Sequence, residues 1–141
     1  MAAVNVFNWP VRVYYEDTDA GGVVYHSQYL NFLERARTEW LRHLGYEQTA
    51  LRDELEMVIV VHSLEIQFKK PARFNDSLVV STSVSELGRS SIQFAQMILR
   101  GEELLIEAKV RVACVGTQTF KPVAIPKKIL EAITSHTTEL T

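Results

Sequence analysis

What most restricts the fold of this chain is a single change of hydrophobic period. Tyr29, Leu33, Ala36, Trp40 and Leu44 follow one another at steps of four, three, four and four, which is one face of a helix. Leu30 and Leu41 widen that stripe, and Glu34, Arg35, Glu39 and Arg42 lie on or near the other side. Ser27 suits the N-cap and Gly45 the C-terminal stop, so the pattern predicts a helix to about Leu44. A shorter helix is expected over Glu47 to Leu55.

Beyond residue 56 the period changes to that of strands. Met57 to Phe68 carries the apolar run Val58, Ile59, Val60, Val61, and Pro71 to Asp76 breaks it. Ser77 to Leu87 alternates, with Leu78, Val80, Thr82 and Val84 on one face. Gly88-Arg89 is a turn, Ser91 to Arg100 a strand, Gly101-Glu102 a turn, and Leu104 to Val115 a long strand. Ahead of the helix, Val11 to Tyr15 alternates and predicts a short strand, and Glu16 to Tyr25 predicts a loop. Lys121 to Ile125 reads as a short extension, and Pro126 opens a final helix.

Helices segregated from a meander of strands mean an α+β fold with an antiparallel sheet. No linker, low-complexity stretch or repeat divides the chain, so its 141 residues are expected to form a single domain, 1–141, around one core. A helix of roughly 17 residues is about 25 Å long and can bury its stripe against one concave sheet face. The other face and the sheet edges need cover, which predicts an oligomer.

Apolar residues make up 47% and charged residues 23%, an ordinary globular balance. The net charge of −2 gives no support for a nucleic-acid partner. Acidic ligands could still meet a local cluster such as Lys69, Lys70 and Arg73. The single cysteine, Cys114, cannot form an internal disulfide and lies in the apolar run Val110 to Val115, as a buried strand residue would. Met1 to Pro10 lacks the basic-then-apolar order of a secretory signal, and no apolar run approaches the ~20 residues of a membrane span. The expectation is a cytoplasmic protein with no transmembrane segment.

The chemistry concentrates in Tyr15-Glu16-Asp17-Thr18-Asp19-Ala20-Gly21-Gly22-Val23-Val24-Tyr25-His26. Two carboxylates and two glycines precede a helix start, whose unpaired amides and partial positive charge can hold an anion or polarise a carbonyl oxygen. Glycine, here Gly22, lets backbone approach a ligand closely. A calcium loop fits poorly. Asp17, Asp19 and Gly22 match its first, third and sixth positions, but the twelfth is Gln28 where Glu is required, and no helix precedes the loop. No metal site is expected. Two readings stay open from the residues alone: carboxylates that only stabilise a helix start, or a carboxylate facing a carbonyl held by helix amides.

The run Asp17 to Tyr25, followed by Tyr29, closely resembles the signature of the 4-hydroxybenzoyl-CoA thioesterase family, and most closely its Tol-Pal-associated, YbgC-type acyl-CoA thioesterase branch. The flanking Pro10 to Glu16 and Glu34 to Glu39 resemble that branch, as do Ala113-Cys114-Val115 and Lys121-Pro122-Val123-Ala124. The resemblance covers nearly the whole chain. It implies the hotdog fold, a long helix wrapped by an antiparallel sheet, assembled as a homotetramer (dimer of dimers).

It also implies acyl-CoA thioester hydrolysis, with Asp19 as nucleophile or general base and the backbone amide at His26 polarising the carbonyl. Coenzyme A is then part of the substrate, and no cofactor is implied. The helix dipole favours ionised Asp19, which keeps a nucleophile available and tilts the choice towards direct attack. Tyr15 and Tyr25 are candidates for the acyl-pocket wall or for ordinary packing. Val60 and Val61 fall where the family lines its acyl pocket, although a buried strand has the same look. Arg89-Ser90-Ser91 falls where the family binds the CoA nucleotide with a more basic stretch, of which only Arg89 keeps the charge here. Lys69, Lys70 and Arg73 are the alternative phosphate ligands. The side chain of His26 is a candidate for a direct role, while a lone His such as His62 is more often structural. An acyl-carrier protein is a second candidate donor. The alternative of another class is a non-catalytic acyl-CoA or acyl-carrier-protein binding module in a phospholipid-synthesis assembly. A hotdog dehydratase would bring its His and acid in a different motif, which is not found.

Overall fold

The computed structural model describes residues 6–138. The single-domain expectation over 1–141 therefore reaches outside the described residues at both ends, as does part of the signal reading of Met1 to Pro10. In chain order the elements are β1 (Phe7–Arg12), a 3-10 turn (Tyr15–Asp17), α1 (Gln28–His43), α2 (Gln48–Leu55), β2 (Met57–Phe68), β3 (Ser77–Leu87), β4 (Ser91–Arg100), β5 (Glu103–Gly116) and α3 (Lys127–Thr138).

The strands form one five-stranded sheet in the order β1-β3-β4-β5-β2, every neighbour antiparallel. Helix α1 packs on β3 and β1. Its stripe of Tyr29, Phe32, Leu33, Ala36, Trp40 and Leu41 is buried in one core with Leu78, Val80, Phe94, Ile98, Ile106 and Val110 from the sheet. This is the α+β hotdog arrangement that the resemblance implies. Leu30 was expected to widen the stripe but faces solvent. At about 100° per residue Leu30 lies at one edge of the stripe, while the fully buried Phe32 widens it on the opposite edge. Gly45 ends α1 as expected: at φ +100° it donates to the Arg42 carbonyl (2.9 Å), and Tyr46 donates to Leu41 (3.1 Å), which together cap the helix carbonyls.

The first strand is displaced from its expected place. It covers Phe7–Arg12, not Val11 to Tyr15. Pro10 is tolerated because β1 is an edge strand that pairs only with β3. After Arg12 the chain leaves the ladder: Val13 exchanges backbone bonds with Asp76 and Asn75 (both 2.9 Å), and Tyr15–Asp17 closes a tight turn. Lys121 to Ile125 is not a strand either. It follows the end of β5 through an isolated Val115–Pro122 bridge and a Val123-to-Cys114 bond of 2.9 Å. Burial pushes the Cys114 thiol up to about 11, consistent with an inert core residue. No helix among the described residues is long and apolar enough to cross a membrane.

Candidate active site

The loop before α1 holds its two carboxylates in different ways. Asp17 is 6% exposed. Its Oδ2 accepts the Tyr14 amide at 2.8 Å, and its Oδ1 accepts Gln28 Nε2 at 2.8 Å from the first residue of α1. Its carbonyl accepts the Tyr25 amide at 3.0 Å. Asp17 thus ties both ends of the loop to the helix start, and both carboxylate oxygens are engaged.

Asp19 is exposed. Its Oδ1 accepts the Gly21 amide at 2.8 Å, and its Oδ2 has no donor among the described residues. The main chain fixes its position: the Asp19 amide donates to Val23 (3.0 Å), and Gly22 donates back to the Asp19 carbonyl (3.0 Å). That turn needs Gly22 at φ +79°, a region favourable to glycine. A side chain at Gly21 would come within 3.2 Å of Asp19 Oδ1. The loop is therefore shaped around this carboxylate.

Ser27 stands at the helix boundary as expected, but in helical conformation and without a side-chain cap bond. Gln28 donates to Tyr25 (2.8 Å), whereas the amides of His26 and Ser27 meet no acceptor among the described residues. They remain available to an external oxygen at the positive end of α1. The His26 side chain is exposed, with its ring 4.5 Å from that of Tyr25.

The segment between β2 and β3 backs the loop. Val24 donates to the Ala72 carbonyl (2.9 Å), and Val23 bridges Arg73. Ala72 in turn donates to the buried Tyr29 hydroxyl at 2.9 Å. Burial raises the Tyr29 pKa. Asp76 completes the support, accepting the Arg73 amide (2.8 Å) and Arg100 Nη1 (2.7 Å).

The remaining candidates divide by place. Tyr15 and Tyr25 are 80% and 49% exposed, so neither is a core aromatic in this chain. Of the basic groups, Arg73 is beside the loop, with Lys69 and Lys70 on the same connection, and Lys70 is ion-paired to Glu103 at 2.9 Å. Arg89, Ser90 and Ser91 lie at the far end of β3, about 30 Å away at ~3.3 Å per residue. One chain does not bring them to Asp19. Val61 lines a cavity of about 260 Å³ between α1 and the sheet, with Ile59 two residues before it on the same side. Val60, between them, is not among the lining residues. Among the described residues no group of three or more His, Cys, Asp or Glu could hold a metal ion.

Sequence reasoning missed the bond between Arg37, which lines that cavity, and the buried Gln96 of β4, whose Oε1 accepts from Arg37 Nη1 at 3.0 Å. Arg37 sits within the helical pattern as an ordinary charge, and only the tertiary fold brings Gln96 of β4 against it.

A helix start with unengaged amides, a carboxylate beside it and a sheet wrapped round the helix together define a thioesterase class of hotdog proteins. Residues 13–133 match the Thioesterase-like superfamily, and the chain belongs to it. It is similar to the acyl-CoA thioesterase YbgC of Haemophilus influenzae, 50% identical over 91% of this chain and 94% of the relative. It is similar also to the acyl-CoA thioester hydrolase YbgC of Escherichia coli O6:H1, 48% identical over 89% and 93%. Among solved structures, a probable thioesterase from Bartonella henselae superposes with a TM-score of 0.83 at 39% identity, covering 86% of this chain and 99% of the other.

Proposed function

We propose that this protein hydrolyses acyl-CoA thioesters to the free acid and CoA, with Asp19 as the reacting carboxylate and the His26 amide as the donor to the thioester oxygen. The carrying observation is the pairing, in one short loop, of an exposed carboxylate with one unengaged oxygen and an unengaged helix N-terminal amide. Asp17 is the poorer candidate, because both its oxygens are already bonded inside the fold. The names of the similar relatives support the acyl-CoA substrate class.

The thioester carbonyl oxygen accepts from the His26 amide, and the carbonyl carbon faces Asp19 Oδ2. In the nucleophilic route Oδ2 forms a bond to that carbon, the C–S bond breaks, and CoA leaves as a thiolate that takes a proton from solvent. Water then cleaves the mixed anhydride and returns Asp19. In the general-base route Oδ2 takes a proton from a water that attacks the carbon directly, the C–S bond breaks, and the CoA thiolate takes up a proton as Asp19 is returned to its carboxylate form. The first route is favoured, since among the described residues Oδ2 holds no hydrogen bond that must break before it attacks. One turnover in heavy-oxygen water, with hydroxylamine as a trap, separates them: label in the Asp19 side chain or a hydroxamate at Asp19 supports the anhydride, and label only in the product acid with no trapped Asp19 favours the general-base route.

Arg73, which bridges Val23, and Lys69 on the same connection are the candidates for the CoA phosphates, and Tyr15 and Tyr25 are exposed candidates for substrate contact. The sheet ends in two edge strands, β1 and β2, and β2 exposes Val61, Leu64 and Phe68. That surface supports assembly into an oligomer, with a homotetramer as the expected form. The site is read as working in the cytoplasm. Thiol release over an acyl panel, with CoA and acyl-carrier-protein donors, tests the activity. Release from neither donor while acyl-CoA still binds would replace the enzyme with the binding-module reading.

A further inference from the structure

Ala72, on the connection between β2 and β3, joins the reacting loop to the helix through its main chain. It is fully buried. Its carbonyl accepts the Val24 amide at 2.9 Å, and its own amide donates to the Tyr29 hydroxyl at 2.9 Å. The carbonyl of Val23, next to Val24, accepts the Asp19 amide at 3.0 Å, and Gly22 donates back to the Asp19 carbonyl at 3.0 Å. A continuous path of hydrogen bonds and peptide bonds therefore leads from the Tyr29 hydroxyl to the backbone of Asp19.

Tyr29 is the second residue of α1 and stands three residues after His26. It is 3% exposed, and its ring centroid lies 6.3 Å from that of Phe32 and 5.8 Å from that of Phe68. A phenylalanine would fill the same space, so what the hydroxyl adds is the bond to Ala72. A thioester carbon whose oxygen is held at the helix start meets Asp19 only if the two groups keep a fixed separation. An error of about 1 Å in such a geometry costs orders of magnitude in rate. The helix sets the position of the amide, Val23 sets that of Asp19, and the Tyr29 hydroxyl connects the two.

We infer that Tyr29 is a positioning residue for the proposed hydrolysis: its hydroxyl, acting through Ala72 and Val24, holds Asp19 in register with the His26 amide. The inference rests on the acyl-CoA hydrolase reading and adds a residue to its machinery. Tyr29→Phe keeps the ring and its packing on Phe32 and Phe68, so the core stays filled. It leaves the buried Ala72 amide without its acceptor. That amide regains a partner only if the connection moves, and Val24 moves with it.

The test is a double-mutant cycle on kcat per folded molecule, in the natural chain, Tyr29→Phe, Asp19→Asn and the double variant. The substrate is the fastest of a panel running from acetyl-CoA to palmitoyl-CoA, with benzoyl-CoA. Tyr29→Phe should lower kcat about tenfold in the natural chain, with KM within about threefold. Once Asp19 is replaced there is no reacting carboxylate to hold in place, and the same change should lower kcat less than about twofold. A residue that supports the fold alone would lower the unfolding midpoint and leave kcat per folded molecule unchanged, or would lower it by one factor in both backgrounds. Either result overturns the proposal and leaves the hydrolase reading standing. Undiminished release in Asp19→Asn removes the reacting carboxylate and the proposal with it, and thiol release from no member of the panel by the natural chain defeats the hydrolase reading itself.

Discussion

Asp17 and Asp19 share one loop, yet the first is 6% exposed with both oxygens bonded, and the second is exposed with one oxygen unengaged. The contrast is one of partners rather than residue type. A buried carboxylate that accepts from Tyr14 and Gln28 fixes where the loop leaves and rejoins the helix. A carboxylate held on one side only keeps an oxygen unengaged, as the role proposed for Asp19 requires. Substitution should therefore separate stability from turnover across two residues.

The largest effect is expected at Asp19. Asp19→Asn keeps size and removes charge, and kcat should fall on the order of a hundredfold or more with the unfolding midpoint unchanged. Near-normal turnover in that variant would dissolve the contrast. Next comes the backbone donor. His26→Pro deletes the amide that awaits an acceptor, and kcat should drop about a hundredfold. His26→Ala keeps the amide and should stay within about threefold, well below the range for a lost oxyanion donor. Equal losses in the two would move the role from the main chain to the imidazole.

Asp17→Ala should act on folding instead. It strands the Tyr14 amide and Gln28 Nε2, and a loss of about 2 kcal/mol in denaturant unfolding is expected. Activity per folded molecule should fall far less than in Asp19→Asn. A fully stable and inactive Asp17→Ala would reverse the assignment of the two acids.

How much of this was legible in sequence follows from where the interactions run. The bounds of β2, β3 and β4 are those their patterns predict, because each is long and punctuated by Pro71, Gly88 or Gly101. The C-terminal stop at Gly45 is equally local. By contrast, β1 was masked by Pro10, which only an edge position tolerates. The α1 boundary was legible, but the absence of a Ser27 cap bond was not. Composition could not separate Asp17 from Asp19, since the difference lies in Gln28 and Tyr14. The family motif points to Asp19, and the hydrogen bonds show how the two carboxylates differ. Arg37 and Gln96 were beyond reach, because they lie 59 residues apart in sequence.

The smallest predicted effect concerns the support behind the loop. Asp76 lies on the connection that holds Val23 and Val24, and touches neither Asp19 nor the free amides. Burial pushes its carboxyl up, but the Arg73 amide and the Arg100 guanidinium more than offset this and leave it below the usual Asp range. A carboxyl held lower in the folded state than in the unfolded chain adds stability above its unfolded value, about pH 4. That stability is lost as pH falls through the folded value. The natural chain should therefore unfold later than Asp76→Asn at neutral pH, and the two unfolding midpoints should converge on acidification below about pH 4. Turnover at neutral pH should change little beside Asp19→Asn, since a weakened backing shifts the loop without removing a reacting group. A stability gap that widens with acid would show that Asp76 is not held by Arg100 in the way the 2.7 Å contact implies.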